Sequence, residues 1–549
     1  MDILIKNGII IDGTGSPGYK ADILIKEDRI EKIQTDIKVN DYQVIDASNK
    51  VVAPGFIDMH SHGDLTILSI NKAEATVMQG ITTLVVGMCG IGMAPANEKV
   101  RNYYSTLVTR LFTIPNMQLY DTLQDYMEAI KKRGVSTNLA FFIPHGNVRI
   151  CILGMEDRSP TPEELNEMKQ IVRRGMEAGA FGLSTGLIYP PGSITPTEEI
   201  IELCKVVGHG EYNGIYDSHM RDEGANILDR GIGELIRIAK EANIRAHISH
   251  IKIGGGASLK LTNDVINLIK NARNNEGLFI HADLYPYEEV GLFLSAVMLR
   301  PWVFENLVGN LTNPNTRKKI AEESLQYFFQ FLTGLPPQIQ SLSKEEKENL
   351  IISYIKQYFR VTSVMKNHHI EGKYLGRALK ILYPKRKFID ALLDFILDEQ
   401  GSIILTVKFM DEKTSILSLF KQDFVCIGTD GFLIAEGQTH PRSYGTFPRI
   451  LSNYIKEKKL LSIEEGIRKM TSLPASILGL NDRGIIKIGN KADLVVFDPE
   501  SIKDKATYKN SRQYPEGIDY VIINGDITVA NGKHLGILSG RILKHRKNY

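Results

Sequence analysis

Six side chains able to bind a metal or move a proton fall at comparable places along this chain: His60, His62, Cys89, His219, His250 and Asp430. In GFIDMHSHGD two histidines stand two residues apart at the end of an apolar run, where the alternation of a strand points His60 and His62 to the same side. Cys89 ends TTLVVGMC before Gly90, His219 ends GIYDSH, His250 ends RAHISH, and Asp430 ends DFVCIGTD before Gly431. Five strand-like runs thus deliver six ligands or bases from their C-terminal ends. Imidazole, thiolate and carboxylate together suit zinc, whose borderline softness accepts all three. Zinc lowers the pKa of its water to about 7 and polarises a carbonyl, and Asp430 is placed to take the water's proton and return it to a leaving nitrogen. A bare His-x-His or a Thr-Asp-Gly turn would carry little alone. Recurrence at the ends of successive strands is what gives these residues weight.

Strand parity separates them from their neighbours. His247 is three positions from His250 and faces the other side of a regular strand, so it is expected to pack or bond locally. Cys426 shares parity with Asp430 but lies four residues earlier, about 13 Å down a strand at ~3.3 Å per residue, and reads as core. Cys151 and Cys204 have no partner at ligand spacing and read as inert thiols, while His281, His368 and His369 have no evident place in the site.

The elements that must position these groups alternate. Apolar runs are followed by amphipathic helices such as TPEELNEMKQIVRRGMEAGA, which has helix-start chemistry at Thr161 to Glu164. Eight runs (GFIDMHSH, TTLVVGMC, STNLAFFI, FGLSTGL, GIYDSHM, RAHISH, LFIHADLY and DFVCIGTD) predict an α/β fold, a (β/α)8 TIM-type barrel over residues 55–483, with an open doubly wound sheet as the alternative. Residues 1–54 and 484–549 read as short strands and turns. They are expected to form one small β-sandwich domain built from both termini, two separate β appendages being the other arrangement. Residues from about 302 to 415 are charged and helical, an expected helical insertion before the last barrel strand that would act as a lid or specificity wall.

Composition narrows the partners. The 549 residues carry 66 Lys plus Arg against 64 Asp plus Glu, so no global field points to nucleic acid or a membrane surface, and a small-molecule substrate is expected. MDILIKNGIIIDGTG has neither the basic start nor the apolar stretch of a signal peptide, and four scattered cysteines suit a reducing compartment, so the expected location is cytoplasmic.

With these residues in view, the chain resembles the amidohydrolase superfamily and, within it, the D-aminoacylases or N-acyl-D-amino-acid deacylases. The resemblance covers nearly the whole chain and rests on an ordered set: APGFIDMHSHGD, GITTLVVGMCGIGMAP, PHGNVR, GAFGLSTGLIYPPG, DSHMRDEG, ISHIK, DLYPY, IGTDG, THPRSYGTFPRIL and PEGIDYVIINGD. It implies a barrel with a small β-sandwich, one zinc held tightly by Cys89, His219 and His250, and a second, weaker metal position at His60 and His62. Cys89 would bridge the two, where a modified lysine stands elsewhere in the superfamily. Asp430 matches the catalytic acid and base; Lys252, Tyr285 and Arg442 match positions that hold the substrate carboxylate; Tyr189 matches one that contacts the scissile carbonyl. His145, in Pro144-His145-Gly146 where Gly-His-Gly is usual, would stand behind the ligands or touch substrate.

Two segments depart from the pattern. Met88 replaces a usual Asn before the metal cysteine, and Glu288, Glu289, Val290 and Gly291 replace a small polar run, removing a hydroxyl that would help hold the carboxylate. The implied reaction is hydrolysis of an N-acyl-D-amino acid to a carboxylate and a free D-amino acid. The same site would serve an N-acyl-L-amino acid, a dipeptide or a cyclic amide such as a dihydropyrimidine or hydantoin, and a non-enzymatic scaffold is the remote alternative. Oligomeric state is left open.

Overall fold

Parallel strands buried on both faces read as continuous apolar runs, and the eight runs of the central sequence become eight such strands in the computed structural model. The structure describes residues 2–38, 42–107, 118–256, 258–331, 339 and 341–545. The barrel strands are β1 (Phe56–Asp58), β2 (Ile81–Val86), β3 (Asn138–Pro144), β4 (Gly182–Gly186), β5 (Ile215–His219), β6 (Arg245–Ile248), β7 (Ile280–Leu284) and β8 (Val425–Ile427). Each pairs in parallel with the next. The circle closes where the Met59 amide donates to the Ile427 carbonyl at 3.1 Å, the Asp430 amide donates to the His60 carbonyl at 2.7 Å, and Ser61 bridges Gly431. That closure rules out the open doubly wound sheet.

Between β3 and β4 runs the helix Pro162–Ala178, started by the expected chemistry. Thr161 accepts from the Glu164 amide, and the Glu164 side chain accepts from the Thr161 amide. Its buried stripe, Met168, Val172 and Met176, packs on the barrel, and Gly175 lets it come close: a Cβ there would sit 2.5 Å from Ile143 Cδ1.

The two chain ends do form one assembly. Strand Val51–Pro54 pairs antiparallel with Leu494–Phe497 inside a single nine-stranded sheet, with Ile5, Ile23, Val52, Leu494 and Ile522 in its core. Two separate appendages are therefore excluded. One feature went unanticipated: the C-terminal pair Ile542–Leu543 leaves this sheet and runs parallel to Leu139 and Ala140 of β3, so the end of the chain is stitched into the barrel.

The connection from β7 to β8 holds the expected helices, including Pro314–Phe331, Lys344–Tyr358, Leu375–Leu382 and Phe388–Asp398. It also holds an antiparallel sheet of Glu289–Phe293, Ile403–Lys408 and Arg360–Val364, with Ile403–Lys408 central. The inserted unit is thus helical with a small β core, and it begins immediately after β7. Among the described residues no helix is long and apolar enough to cross a membrane.

Candidate metal centre and active site

All six residues singled out by strand-end position meet at the C-terminal mouth of the barrel. His60 and His62 follow β1, Cys89 follows β2, His219 ends β5, His250 follows β6 and Asp430 follows β8. Cys89, His250 and Asp430 adopt left-handed backbone, with φ of 56°, 31° and 48°. Such conformations cost a non-glycine residue about 1–3 kcal/mol each and cluster where a side chain must be aimed.

The aim is mutual. Cys89 Sγ lies 3.2 Å from His60 Nε2, 3.3 Å from His250 Nε2 and 3.7 Å from His219 Nδ1. Tetrahedral zinc, with bonds of about 2.3 Å to sulfur and ~2.0–2.1 Å to nitrogen, separates its ligand atoms by roughly 3.5 Å. The donor set therefore fits a metal ion in both type and spacing. His62 Nε2 is 3.2 Å from Asp430 Oδ1, and His60, Cys89 and His250 on one side and His60, His62 and Asp430 on the other make two overlapping groups that could each hold a cation.

Charge supports the same view. Burial opposes ionising the Cys89 thiol, but His60, His250 and His219 around it hold it well below its ordinary range. Burial likewise opposes charge on Asp430, yet Arg442, His250, His62 and His60 keep it well below the usual carboxylate range. His62, although buried, is pushed up to about 9 by Asp430 and Cys89. Two anions enclosed in a barrel mouth call for positive charge, which imidazolium protons or a bound dication can supply.

The remaining predicted residues ring this cluster. Arg442 Nη1 is 2.8 Å from Asp430 Oδ2, and its guanidinium lies 4.7 Å over the Tyr285 ring. Lys252 Nζ is 2.7 Å from His250 Nδ1 and 2.9 Å from Glu223 Oε1. The Tyr189 hydroxyl donates to the Cys89 carbonyl at 2.8 Å, with its ring edge-on to His219. His145 lines the same cavity, and its Nε2 is bonded at 2.9 Å to Glu199, which also pairs with buried Arg149. Glu288 and Glu289 turn to Lys408 at 3.1 Å and Arg360 at 3.8 Å, so neither acid is aimed at Arg442. Met88 is buried in apolar core with Cys426, while Cys204 is buried and Cys151 partly buried away from the cluster.

Sequence reasoning missed three contributors. Glu223, four residues after His219, is 3.4 Å from His219 Nε2 and braces the ring whose Nδ1 faces Cys89. Asp283 on β7 accepts from the His250 amide at 3.0 Å and bonds His247 at 3.2 Å, which is the local partner expected for His247. Phe432 stacks on His62 with centroids 4.9 Å apart. The spacing of His219 and Glu223 was a usable signal; Phe432 had none. His281 packs against Phe279 away from the cluster, and His368 and His369 sit on a short turn of the inserted unit.

The family model described as "Amidohydrolase family" matches residues 43–250 and 414–529, leaving out a stretch that holds β7 and most of the inserted unit. The D-aminoacylase of Alcaligenes xylosoxydans xylosoxydans is 29% identical over 543 residues, 99% of this chain and 97% of that protein. A crystal structure of D-aminoacylase superposes with a TM-score of 0.79 at 27% identity, covering 99% of both chains. The N-acyl-D-glutamate deacylase of Bordetella bronchiseptica, solved with zinc and a phosphonate inhibitor that mimics the reaction's tetrahedral intermediate, gives 0.80 at 26% identity, again covering 99% of both. From the barrel, its mouth and these likenesses together, the chain belongs to the amidohydrolase family, is similar over its whole length to D-aminoacylases, and is a metal-dependent amidohydrolase.

Proposed function

We propose that the chain hydrolyses the amide bond of an N-acyl-D-amino acid, releasing a carboxylate and a free D-amino acid, with zinc as its metal. The observation that carries this reading is one thiolate, Cys89, within 3.2, 3.3 and 3.7 Å of three imidazoles, beside a carboxylate and a guanidinium at a barrel mouth. The similar proteins named for action on D-amino-acid derivatives support the substrate.

In this reading Cys89, His219 and His250 would hold the principal zinc. His60 and His62 make a second, weaker position that Cys89 also reaches. A zinc ion held there would supply a Lewis acid for the amide carbonyl and a water acidic enough to ionise near neutral pH. Asp430 takes the proton of the attacking water on its carboxylate and delivers it to the leaving nitrogen. Arg442, 2.8 Å from Asp430 Oδ2, keeps that carboxylate ionised. Lys252, Tyr285 and Arg442 hold the carboxylate of the amino acid, and the Arg442 fork suits a carboxylate. Tyr189 flanks the scissile carbonyl, and His145 with Glu199 braces the cavity wall behind it. The free cysteines of the described residues fit reducing surroundings, and we place the reaction in the cytoplasm.

Purified, zinc-loaded protein incubated with N-acyl-amino acids of both enantiomers is expected to release amine from the D series. Amine from neither series would refute the reaction, and equal rates for both hands would refute its D selectivity.

A further inference from the structure

The cavity over the cluster is much larger than a metal-bound amide needs. It encloses about 810 Å3, in the upper part of the ~300–1,000 Å3 range typical of small-ligand sites, and runs without a break from Cys89, His219 and Asp430 to the inserted unit. Its two ends differ in chemistry. At the barrel end stand Lys252, Glu223, Asp430 and Arg442, paired with one another. At the other end the wall is hydrocarbon. Phe432, stacked on His62, meets Phe293 of the inserted sheet at 6.3 Å, and Phe328 and Tyr354, from two inserted helices, each pack on Phe359 at 5.7 Å. Lys408 and Asp411, two charged lining residues of the insertion, are engaged elsewhere, Lys408 with Glu288 and Asp411 with the Thr414 amide.

From this we infer that the acyl group of the substrate is a long unbranched hydrocarbon chain lying between the barrel mouth and the inserted unit, so that the substrate class is N-fatty-acyl amino acids. The inference rests on the proposed reaction and adds the identity of its acyl group. With the amino-acid carboxylate held by Lys252 and Arg442 as proposed above, the amino-acid part stays at the barrel end, and the acyl group is the part of the substrate left to extend toward the inserted unit. In the reaction the C–N bond breaks, the water oxygen bonds to the acyl carbon, a proton passes to nitrogen, and a fatty carboxylate leaves with the amino acid.

Each buried methylene raises kcat/KM by up to about fourfold (about 0.8 kcal/mol). At twofold each, the eight methylenes between acetyl and decanoyl still give more than 100-fold. The test uses the full-length, zinc-loaded protein and acetyl, butanoyl, octanoyl and decanoyl derivatives of one D-amino acid, all kept below micellar concentrations. A parallel series keeps the acetyl group and lengthens the amino-acid side chain. The expected result is a rise of at least 100-fold along the acyl series only, with the decanoyl-to-acetyl ratio cut at least tenfold in Ala296→Trp, which puts an indole into the cavity from the short helix Leu294–Met298 that follows Phe293. Decanoyl turned over no faster than acetyl, or a gain found only along the side-chain series, would overturn the inference and leave the proposed reaction standing. If no derivative of any length is cleaved, the reaction itself fails, and calorimetry decides the chain site. Decanoate is then expected to bind wild type at least tenfold more tightly than acetate and than the Ala296→Trp protein, and equal binding would overturn it.

Discussion

Replacing Asp430 by alanine separates proton transfer from metal binding. Asp430 and Arg442 are nearly enclosed, with side chains 11% and 4% exposed and an N···O distance of 2.8 Å. At that distance and an effective dielectric of about 20, their attraction is roughly 6 kcal/mol, most of which repays the desolvation of the two charges. Removing one partner leaves the guanidinium buried and uncompensated, at a cost of about 3–5 kcal/mol in stability. Loss of a general base lowers kcat by a factor of about 10²–10⁴, equivalent to roughly 3–5 kcal/mol of barrier. Zinc stays, because the cysteine and two histidines proposed as its principal ligands are untouched. The assay combines urea unfolding, amine release and metal analysis on one preparation of Asp430→Ala. Adding Arg442→Met is expected to restore most of the stability and none of the turnover. Asp430→Ala with kcat within tenfold of wild type and zinc retained would show that the base lies elsewhere. Loss of zinc would show that Asp430 is a principal ligand.

Three further outcomes follow from particular contacts. Lys252→Met removes a charge-assisted bond of about 1.5–3 kcal/mol and is expected to raise KM about 10–100-fold for a free-carboxylate substrate, with far less effect on its carboxamide analogue; equal effects on both would remove Lys252 from carboxylate binding. His281 is held at about 2 by burial and by Arg273 beside it, against about 6.5 in the unfolded chain. Its neutral folded form costs nothing above pH 6.5; below that the unfolded chain gains a proton the folded chain refuses, so stability falls by up to about 1.4 kcal/mol per pH unit. His281→Gln is expected to flatten the decline between pH 6.5 and 5, and an unchanged slope would refute this. Leu543, 9% exposed in the stitched tail, packs with a core that contains Phe181 and Ile215. Leu543→Ala is expected to cost about 2–3 kcal/mol in urea unfolding, and a cost under about 0.5 would mean that the tail does not hold the barrel.

The eight barrel strands could be read because each is a short apolar run ending in polar residues or glycine, and the cluster could be read because each of its residues ends one of those runs. What could not be read depends on partners distant in sequence. EVGLF and RVTSV each pair with IILTVK, across 109 and 38 intervening residues, and no local period announces such pairing. The closure of β1 on β8 and the tail pairing of Ile542 with Leu139 are likewise long-range hydrogen bonds. Asp283 was in view within DLYPY, but its bonds to His247 and the His250 amide exist only once β6 and β7 lie side by side. Two acids at Glu288 and Glu289 would be unfavourable facing an anionic substrate, and the inserted sheet avoids that conflict by turning them to Lys408 and Arg360, pairings that no local pattern announces.

The proposed hydrolysis depends on zinc bound by the Cys89 thiolate among histidines. Zinc-edge X-ray absorption of the active protein tests it most directly. One sulfur at about 2.3 Å with nitrogen ligands at ~2.0–2.1 Å is expected, with loss of the sulfur shell in Cys89→Ser. A fully active protein whose zinc has only oxygen and nitrogen neighbours, or which holds no zinc, would contradict it.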